Sequence, residues 1–453
     1  MKSKQMLGIV AAAAVTLSLA ACAGGSDGGA AEEGAHAGTV NWWTWDEKQA
    51  ESYKTCLPAF QEKYPDITVN ITQYAVDDYF TKLTAGFVAG NAPDAFQNSV
   101  EFLDSYAKQG QLEPLDDYIA ESDYDLGVFN VGVPAFTYTD DKQYALPLDW
   151  AGSAFYYNKD MLKDAGLTED DVTNMTWNPE DGGTFDEVVS HLTVDENGKR
   201  GDEKGFDKDK VKVYGIGALG TNDYLGQTTW YQFAAATDWT MREPAAWPTS
   251  FAFADPTFVE TMDYLRGLSD RGLAPKFGQF TVGDTEQLGS GSVAMISGGS
   301  WSATTFAKLP DMSVGIAPNV LGPDGETRVV MSNSNGNMLW SGSKVKQAAW
   351  DWISFMGTAE CQESAALTSG SFFPSIPSAM EALAADQLEK GVDLSVFVDY
   401  SKNEQLEPSL AYRNGAELKS ELQPLFEAYY SHQRDDDVWQ EAADKAQEIL
   451  SKQ

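Results

Sequence analysis

The chain has 453 residues, a formal net charge of -37 at pH 7 and a composition that is 43% hydrophobic and 12% aromatic. This length and apolar content allow two ordinary domains or one large two-lobed body, and they exclude a disordered chain. The acidic balance argues against nucleic-acid binding, because phosphate contacts need a basic surface. It leaves two alternatives open: a well-solvated surface, or attraction of cationic ligands.

The first 21 residues have the organisation of a secretory signal peptide. Two lysines precede an apolar run at residues 6–20, which is shorter than the roughly 20 apolar residues that span a bilayer. The segment ends in Leu19-Ala20-Ala21-Cys22, which resembles the bacterial lipobox, whose cysteine receives a lipid and becomes the new N-terminus. We therefore predict cleavage after residue 21 and a lipid anchor at Cys22. The alternatives are an ordinary secreted protein with a chance cysteine, or an uncleaved anchor.

Residues 22–38 are predicted to tether the folded body to the membrane. After the cysteine they consist almost entirely of Ala, Gly, Ser, Asp and Glu. A segment of this composition behaves as a flexible coil, because it has no apolar run that could join a core. The expected location is the extracytoplasmic face of the cell membrane.

Strand and helix patterns alternate at the start of the folded body. In order they are a strand at 39–45, a helix at 53–64, a strand at 67–71, a helix at 79–88 and a strand from residue 93. This order predicts an α/β sheet with largely parallel strands. Further patterns predict helices at 185–192, 230–236, 258–268, 350–356 and 439–450, and a short strand at 213–219.

No motif selects a catalytic or metal site. The three histidines are scattered, and no Cys/His group has metal-ligand spacing. The loop after Asp195 places Lys199 where an EF-hand needs an oxygen ligand, and no Gly-x-Ser-x-Gly elbow is present. We therefore predict no catalytic residue, no metal and no cofactor.

Five blocks of residues, taken in order, resemble the bacterial extracellular solute-binding proteins that feed carbohydrate ABC importers. Each block is weak alone, but their order and spacing over nearly the whole mature chain are jointly specific. The blocks contain Val40-Asn41-Trp42-Trp43-Thr44-Trp45, Gly90-Asn91-Ala92-Pro93-Asp94, Phe155-Tyr156-Tyr157-Asn158-Lys159-Asp160, Gly299-Ser300-Trp301 and Ala348-Ala349-Trp350-Asp351-Trp352.

The resemblance implies an α/β periplasmic-binding-protein-like fold with two lobes joined by hinge strands. Known members close on a ligand held in the cleft between the lobes. Lobe 1 would hold residues 39–149 and 320–356, and lobe 2 would hold residues 150–319 and 357–453. The extended, charged loop region at 176–212 departs from a minimal member and leaves the ligand's identity open.

Two cysteines, Cys56 and Cys361, remain once Cys22 is assigned to the lipid. They could pair in an oxidising compartment, and their separation in sequence decides nothing. The lobe division implied by the resemblance puts them in different lobes. We therefore expect two unpaired, buried thiols.

A sugar needs flat aromatic surfaces for its apolar face and polar side chains for its hydroxyls. In open α/β sheets such ligands lie beyond the carboxyl ends of the strands. Buried polar groups also discriminate between sugars, because a wrong epimer leaves them unpaired. The predicted ligand-binding residues are Trp45, Asp46, Glu47, Asn98, Glu101, Asp149, Trp150, Trp230, Gly299, Trp301, Asn335, Phe372 and Arg413.

Several of these candidates could have a structural role instead of contacting the ligand. Trp301 is the first choice, because the preceding glycines allow close backbone approach and the family's matching aromatic commonly stacks on the ligand. Core packing is the alternative for Trp230, and hinge packing for Trp150. Trp45-Asp46-Glu47 could be a half-buried strand end, and Arg413 could form a surface salt bridge.

The sequence is compatible with three functions. The leading hypothesis is a non-catalytic, monomeric lipoprotein that captures an oligosaccharide and delivers it to the permease subunits of an ABC importer. The second keeps the fold but binds a cationic peptide, polyamine or metal complex. The third is a secreted glycoside hydrolase, which needs two carboxylates about 5–9.5 Å apart; no motif selects such a pair.

Overall fold

The computed structural model describes residues 35–219 and 224–452. The predicted signal peptide, Cys22 and most of the tether lie outside the described residues. Within these two ranges, no helix combines the length and the apolar character that a bilayer crossing requires.

The first part of the body builds one layered unit. Its elements are β1 Gly38–Thr44, α1 Glu47–Lys54, α2 Leu57–Lys63, β2 Ile67–Gln73, α3 Val76–Ala89, β3 Ala95–Ser99, α4 Leu103–Lys108, α5 Asp116–Glu121 and β4 Leu146–Ala151. The single helix expected at 53–64 is two helices, because Pro58 at the start of α2 lacks the N–H that a continuous helix needs. Gly90 ends α3 with a φ of 68°, as its sequence position predicts.

The middle of the chain builds the second unit. Its elements are β5 Ser153–Asn158, α6 Lys159–Asp164, α7 Glu169–Thr173, α8 Gly183–Leu192, β6 Val194–Asp195, β7 Val211–Val213, α9 Tyr231–Ala235, α10 Pro256–Asp270, α11 Asp284–Gly289, β8 Met295–Gly299, α12 Ala303–Ala307 and β9 Val314–Ala317. The helices expected in this region are confirmed, whereas the strand expected at 213–219 ends at Val213.

The last part of the chain returns to the first unit and then to the second. Its elements are β10 Val330–Leu339, α13 Lys346–Met356, α14 Ala359–Ser369, β11 Phe373–Pro374, α15 Pro377–Glu389, α16 Ser395–Lys402, β12 Leu406–Pro408, α17 Gly415–Tyr430 and α18 Asp437–Leu450.

Two main sheets organise the body. The larger has the strand order β11-β4-β10-β3-β1-β2, with β12 paired to β10, and the smaller has the order β8-β5-β9. Strand β1 is parallel to β2 and β3, but β10 is antiparallel to β3 and β4. The larger sheet is therefore mixed rather than largely parallel, because β4 leaves this sheet toward the second unit and β10 returns from it.

The two sheets are joined where β4 continues into β5 and where β9 leads to β10. Gly152 lies between β4 and β5, and a Cβ there would come within 2.8 Å of a Val330 methyl group. Glycine thus lets the outgoing and returning strands approach closely. This architecture of two sheets joined by connecting strands confirms the lobed, hinge-strand fold implied by the resemblance.

Cys56 and Cys361 form a disulfide with a Cα–Cα distance of 5.2 Å. The expectation of two unpaired thiols is therefore wrong. It failed because it assigned α14 to lobe 2, whereas Cys361 packs in the core of the larger sheet together with Phe60 and Trp352. We propose that lobe 1 extends past the predicted limit at residue 356 to include α14, β11 and α15.

Candidate functional site

A cavity of about 700 Å³ lies between the larger and the smaller sheet. Eight of the residues predicted from the sequence line it: Trp45, Asp46, Glu101, Asp149, Trp150, Trp301, Asn335 and Phe372. They come from segments far apart in the chain, so the fold brings them together. The cavity volume falls within the range of about 300–1,000 Å³ that is usual for small-molecule sites.

Strand ends position most of these side chains. Trp45 and Asp46 directly follow β1, and Glu101 follows β3; these two parallel strands end at the same edge of the sheet. Asp46 also begins α1, because its carboxylate accepts a hydrogen bond from the Gln49 N–H at 2.9 Å. Trp301 lies two residues after β8 of the smaller sheet, so both lobes contribute to the cavity wall.

Aromatic rings form the wall on the side of the larger sheet. Trp45 packs against Tyr79 and Phe80, with ring centroids 5.3 and 5.5 Å apart. Phe80 stacks on Phe102 at 4.1 Å. Phe80 and Phe102 also line the cavity, although neither was predicted as a site residue from the sequence. One feature of the sequence could have indicated Phe80: it lies outside the apolar stripe of α3 that contains Tyr79, so it is not needed for the core.

Trp301 supplies the aromatic surface of the other lobe. Its side chain is 40% exposed, unlike most large apolar residues of the protein. A Cβ on Gly299 would lie 2.2–2.4 Å from atoms of the indole ring. The ring therefore rests directly on the Gly299 backbone, which fixes its orientation toward the cavity.

Asp149 is a buried carboxylate at the base of the cavity. One oxygen accepts a hydrogen bond from the Gln49 side-chain amide, and the other accepts one from Asn335 at 2.8 Å. Burial raises the pKa of Asp149 to about 7, although these two hydrogen bonds act in the opposite direction; the Asp46 carboxylate raises it further.

A chain of side-chain hydrogen bonds holds Gln49 in place behind Asp149. The Gln97 amide donates to the Gln49 oxygen at 2.8 Å, and the Thr44 hydroxyl donates to the Gln97 oxygen. All three residues are buried. Gln49 and Gln97 were not predicted from the sequence, because nothing in the local pattern shows that α1 and β3 bring their amides together behind one carboxylate.

Replacing Asp149 by asparagine is expected to flatten the pH dependence of stability. Between pH 4 and 7 the folded protein retains a proton on Asp149 that the unfolded chain has released. The free energy of unfolding therefore falls as pH rises through this window and levels off above about pH 7. Between pH 5 and 8 the Asp149 contribution amounts to about 3 kcal/mol, since one pKa unit is about 1.4 kcal/mol.

Urea unfolding of the wild type and Asp149→Asn at several pH values measures this difference. Glu47→Gln is the matched control, because Glu47 is an exposed acid on the first turn of α1. Parallel pH profiles for the wild type and Asp149→Asn would contradict the assignment.

The structure does not place five predicted residues on the wall of the main cavity. Glu47 is exposed on the first turn of α1. Asn98 is fully buried, and its amide contacts the Met338 sulfur at 3.2 Å. Gly299 lines a neighbouring smaller cavity.

Trp230 and Arg413 also lie elsewhere. Trp230 is fully buried in an aromatic core, with its ring 5.2 Å from Phe258 and 5.9 Å from Phe426. Core packing, the alternative considered from the sequence, therefore describes Trp230, and we withdraw it as a ligand contact. Arg413 lies near the Tyr138 hydroxyl. Burial is the main cause of the raised pKa of Tyr138, and the positive charge of Arg413 acts in the opposite direction.

Comparison with known proteins identifies the family. The family described as bacterial extracellular solute-binding protein matches residues 57–394, which is most of the chain. The chain belongs to this family. The family description places this solute-binding protein outside the cytoplasm.

Individual relatives resemble the solute-binding protein over most of their length. The maltodextrin-binding protein MdxE of Bacillus subtilis is 26% identical over 361 residues, which is 78% of this chain and 76% of the relative. The crystal structure of M. tuberculosis UspC has a TM-score of 0.74 and 25% identity, covering 91% of this chain and 100% of that one. An ABC substrate-binding protein from Listeria monocytogenes, in complex with cycloalternan, has a TM-score of 0.74 and 19% identity, covering 92% and 99%.

Proposed function

We propose that the solute-binding protein captures a neutral oligosaccharide between its lobes and delivers it to the permease of an ABC importer. The observation that carries the proposal is a single cavity that combines the exposed Trp301 ring with buried, oriented polar groups. Aromatic rings suit the apolar face of a sugar, whereas Asp149 and Asn335 suit its hydroxyls. The ligands of two similar proteins, maltodextrin and cycloalternan, agree with this chemistry.

The charge of the cavity favours a neutral ligand over a cationic one. Although the whole chain has a net charge of -37, the cavity wall combines Asp46, Glu101 and Asp149 with Lys48 and Lys419. The two ammonium groups offset most of the acidic charge, and burial favours the neutral form of Asp149. A polyamine or cationic peptide would therefore gain little net attraction from this wall.

Ligand capture is expected to close the two lobes. Trp45 and Phe80 belong to the lobe of the larger sheet, and Trp301 belongs to the lobe of the smaller sheet. A sugar in contact with both lobes gains interactions only in the closed arrangement, so binding shifts the population toward it.

Titration with a panel of glycans tests the proposal. The panel contains glucose, mannose, galactose and N-acetylglucosamine as monomers and as linear oligomers of two to five units, with spermidine as the cationic probe. We expect saturable calorimetric binding and a change in tryptophan fluorescence with at least one oligomer. Binding of spermidine alone, weakened by salt, would favour the cationic ligand. Hydrolysis of a bound glycan would favour the glycosidase.

Substitution of Gly299 by alanine is expected to weaken glycan binding about tenfold while the protein stays folded. The φ of -81° at Gly299 suits alanine, so the backbone is not strained. The added methyl group would overlap the indole of Trp301 and displace it. Calorimetry with the best panel glycan, together with a thermal melt, measures both effects. An unchanged affinity would mean that the ring orientation does not matter for binding.

We also propose that Cys22 carries the lipid anchor and that the protein acts as a monomer. The Leu19-Ala20-Ala21-Cys22 segment supports the anchor. Cys22→Ala is expected to release the protein from the membrane fraction without changing its affinity for the glycan. Cell fractionation and calorimetry measure the two properties, and retention of the variant in washed membranes would contradict the lipid assignment.

A further inference from the structure

A second space adjoins the main cavity at Trp301. A second cavity of about 390 Å³ shares Trp301 and Ser302 with the main cavity. We call this second space the distal chamber. Because Trp301 and Ser302 line both spaces, the distal chamber lies next to the Trp301 ring on which a ligand of the main cavity would rest.

The wall of the distal chamber combines polar groups with the aromatic rings of Trp301 and Phe306. Its side chains include Gln227, Thr228, Asp284 and Thr285, and the backbone of Gly298 and Gly299 completes the wall. The glycines leave backbone atoms accessible for close approach of a ligand. Two hydroxyls, a carboxylate and an amide oxygen in one small space suit a ligand that is rich in hydroxyl groups.

The fold holds one of these residues rigidly. The Gln227 amide donates to the carbonyl of Ala151 at 3.1 Å and to that of Met331 at 3.4 Å. Ala151 ends β4 and Met331 belongs to β10, so Gln227 is fixed to both strands that connect the lobes. This one residue of the wall is thus held at the hinge.

We propose that the distal chamber is a subsite for an additional sugar unit of the oligosaccharide, next to the unit that lies on Trp301. This inference rests on the proposed function and extends it to the length of the ligand. All the residues of the distal chamber wall follow β5 and precede β9 in the chain, so they belong to the lobe of the smaller sheet. The additional sugar unit therefore gains its contacts from one lobe, without contacts to the larger sheet.

Variants of the distal chamber separate this subsite from the main cavity. Asp284→Ala and Thr285→Val each remove hydrogen-bonding groups from the chamber without touching Trp301 or Gln227. Glu286→Ala is the matched control, because Glu286 is an exposed acid on the same helix and is not part of the wall. Calorimetry uses the linear oligomers of one to five units from the glycan panel, and circular dichroism checks that each variant is folded.

We expect the affinity of the wild type to rise with the length of the glycan. Asp284→Ala and Thr285→Val are expected to weaken binding of the longer oligomers roughly fivefold each, since one hydrogen bond contributes about 1 kcal/mol. They should leave the affinity for the shortest bound oligomer unchanged, as should Glu286→Ala for every length. Equal losses at all lengths, or no loss at any length, would overturn the subsite. Failure of the wild type to bind any glycan would instead overturn the proposed function and the subsite with it.

Discussion

Replacing Trp301 by alanine is expected to weaken glycan binding by about 2 kcal/mol or more, which is roughly 30-fold, while changing stability little. Central aromatic side chains commonly contribute this much to recognition. The ring is 40% exposed and rests on Gly299, so its removal takes away a surface for the ligand and little of the core. Calorimetry with the best panel glycan gives the affinity, and a thermal melt gives the stability.

Trp301→Phe is the matched control for this experiment. Phenylalanine keeps an aromatic face at the same position but offers a smaller area. Its loss of affinity should therefore be smaller than that of Trp301→Ala. If the alanine variant binds as tightly as the wild type, Trp301 does not contact the ligand.

Removal of the disulfide is expected to lower the free energy of unfolding by about 2–5 kcal/mol. Cys56 and Cys361 are 305 residues apart and join α14 to the segment between α1 and α2. The bridge restricts the unfolded chain over this long loop, and it suits the oxidising environment outside the cytoplasm. The double variant Cys56→Ser/Cys361→Ser tests this expectation by urea unfolding.

Treatment with a reducing agent provides the control. Reductant should destabilise the wild type toward the value of the double variant and should leave the double variant unchanged. Equal free energies of unfolding for the oxidised wild type and the double variant would show that the bridge does not stabilise the fold.

Local patterns predicted the elements of the fold well where they depend on nearby residues. The alternation of strands and helices at residues 38–99 follows from apolar periodicity. The end of α3 at Gly90 follows from the positive φ at this position, which glycine adopts readily. Pro58 also indicates the break between α1 and α2. The apolar stripe continues across this break, however, and favoured the prediction of a single helix.

Long-range pairing limited the prediction of the site. Asn98 and Ser99 are neighbours on β3, yet Ser99 lines the cavity and Asn98 contacts Met338. Strand alternation alone does not tell which of the two faces the cavity. Likewise, Trp230 lies next to polar residues in sequence, but Phe258 and Phe426 surround it only after the chain has folded.

A crystal structure of the protein with the tightest-binding panel oligosaccharide tests the central claim most directly. The proposal expects a sugar ring lying on Trp301, with its hydroxyls hydrogen-bonded to Asp149 or Asn335 and the aromatic wall around Trp45 closed over it. A glycan bound outside the 700 Å³ cavity, or inside it without contact to Trp301, would contradict the proposed function.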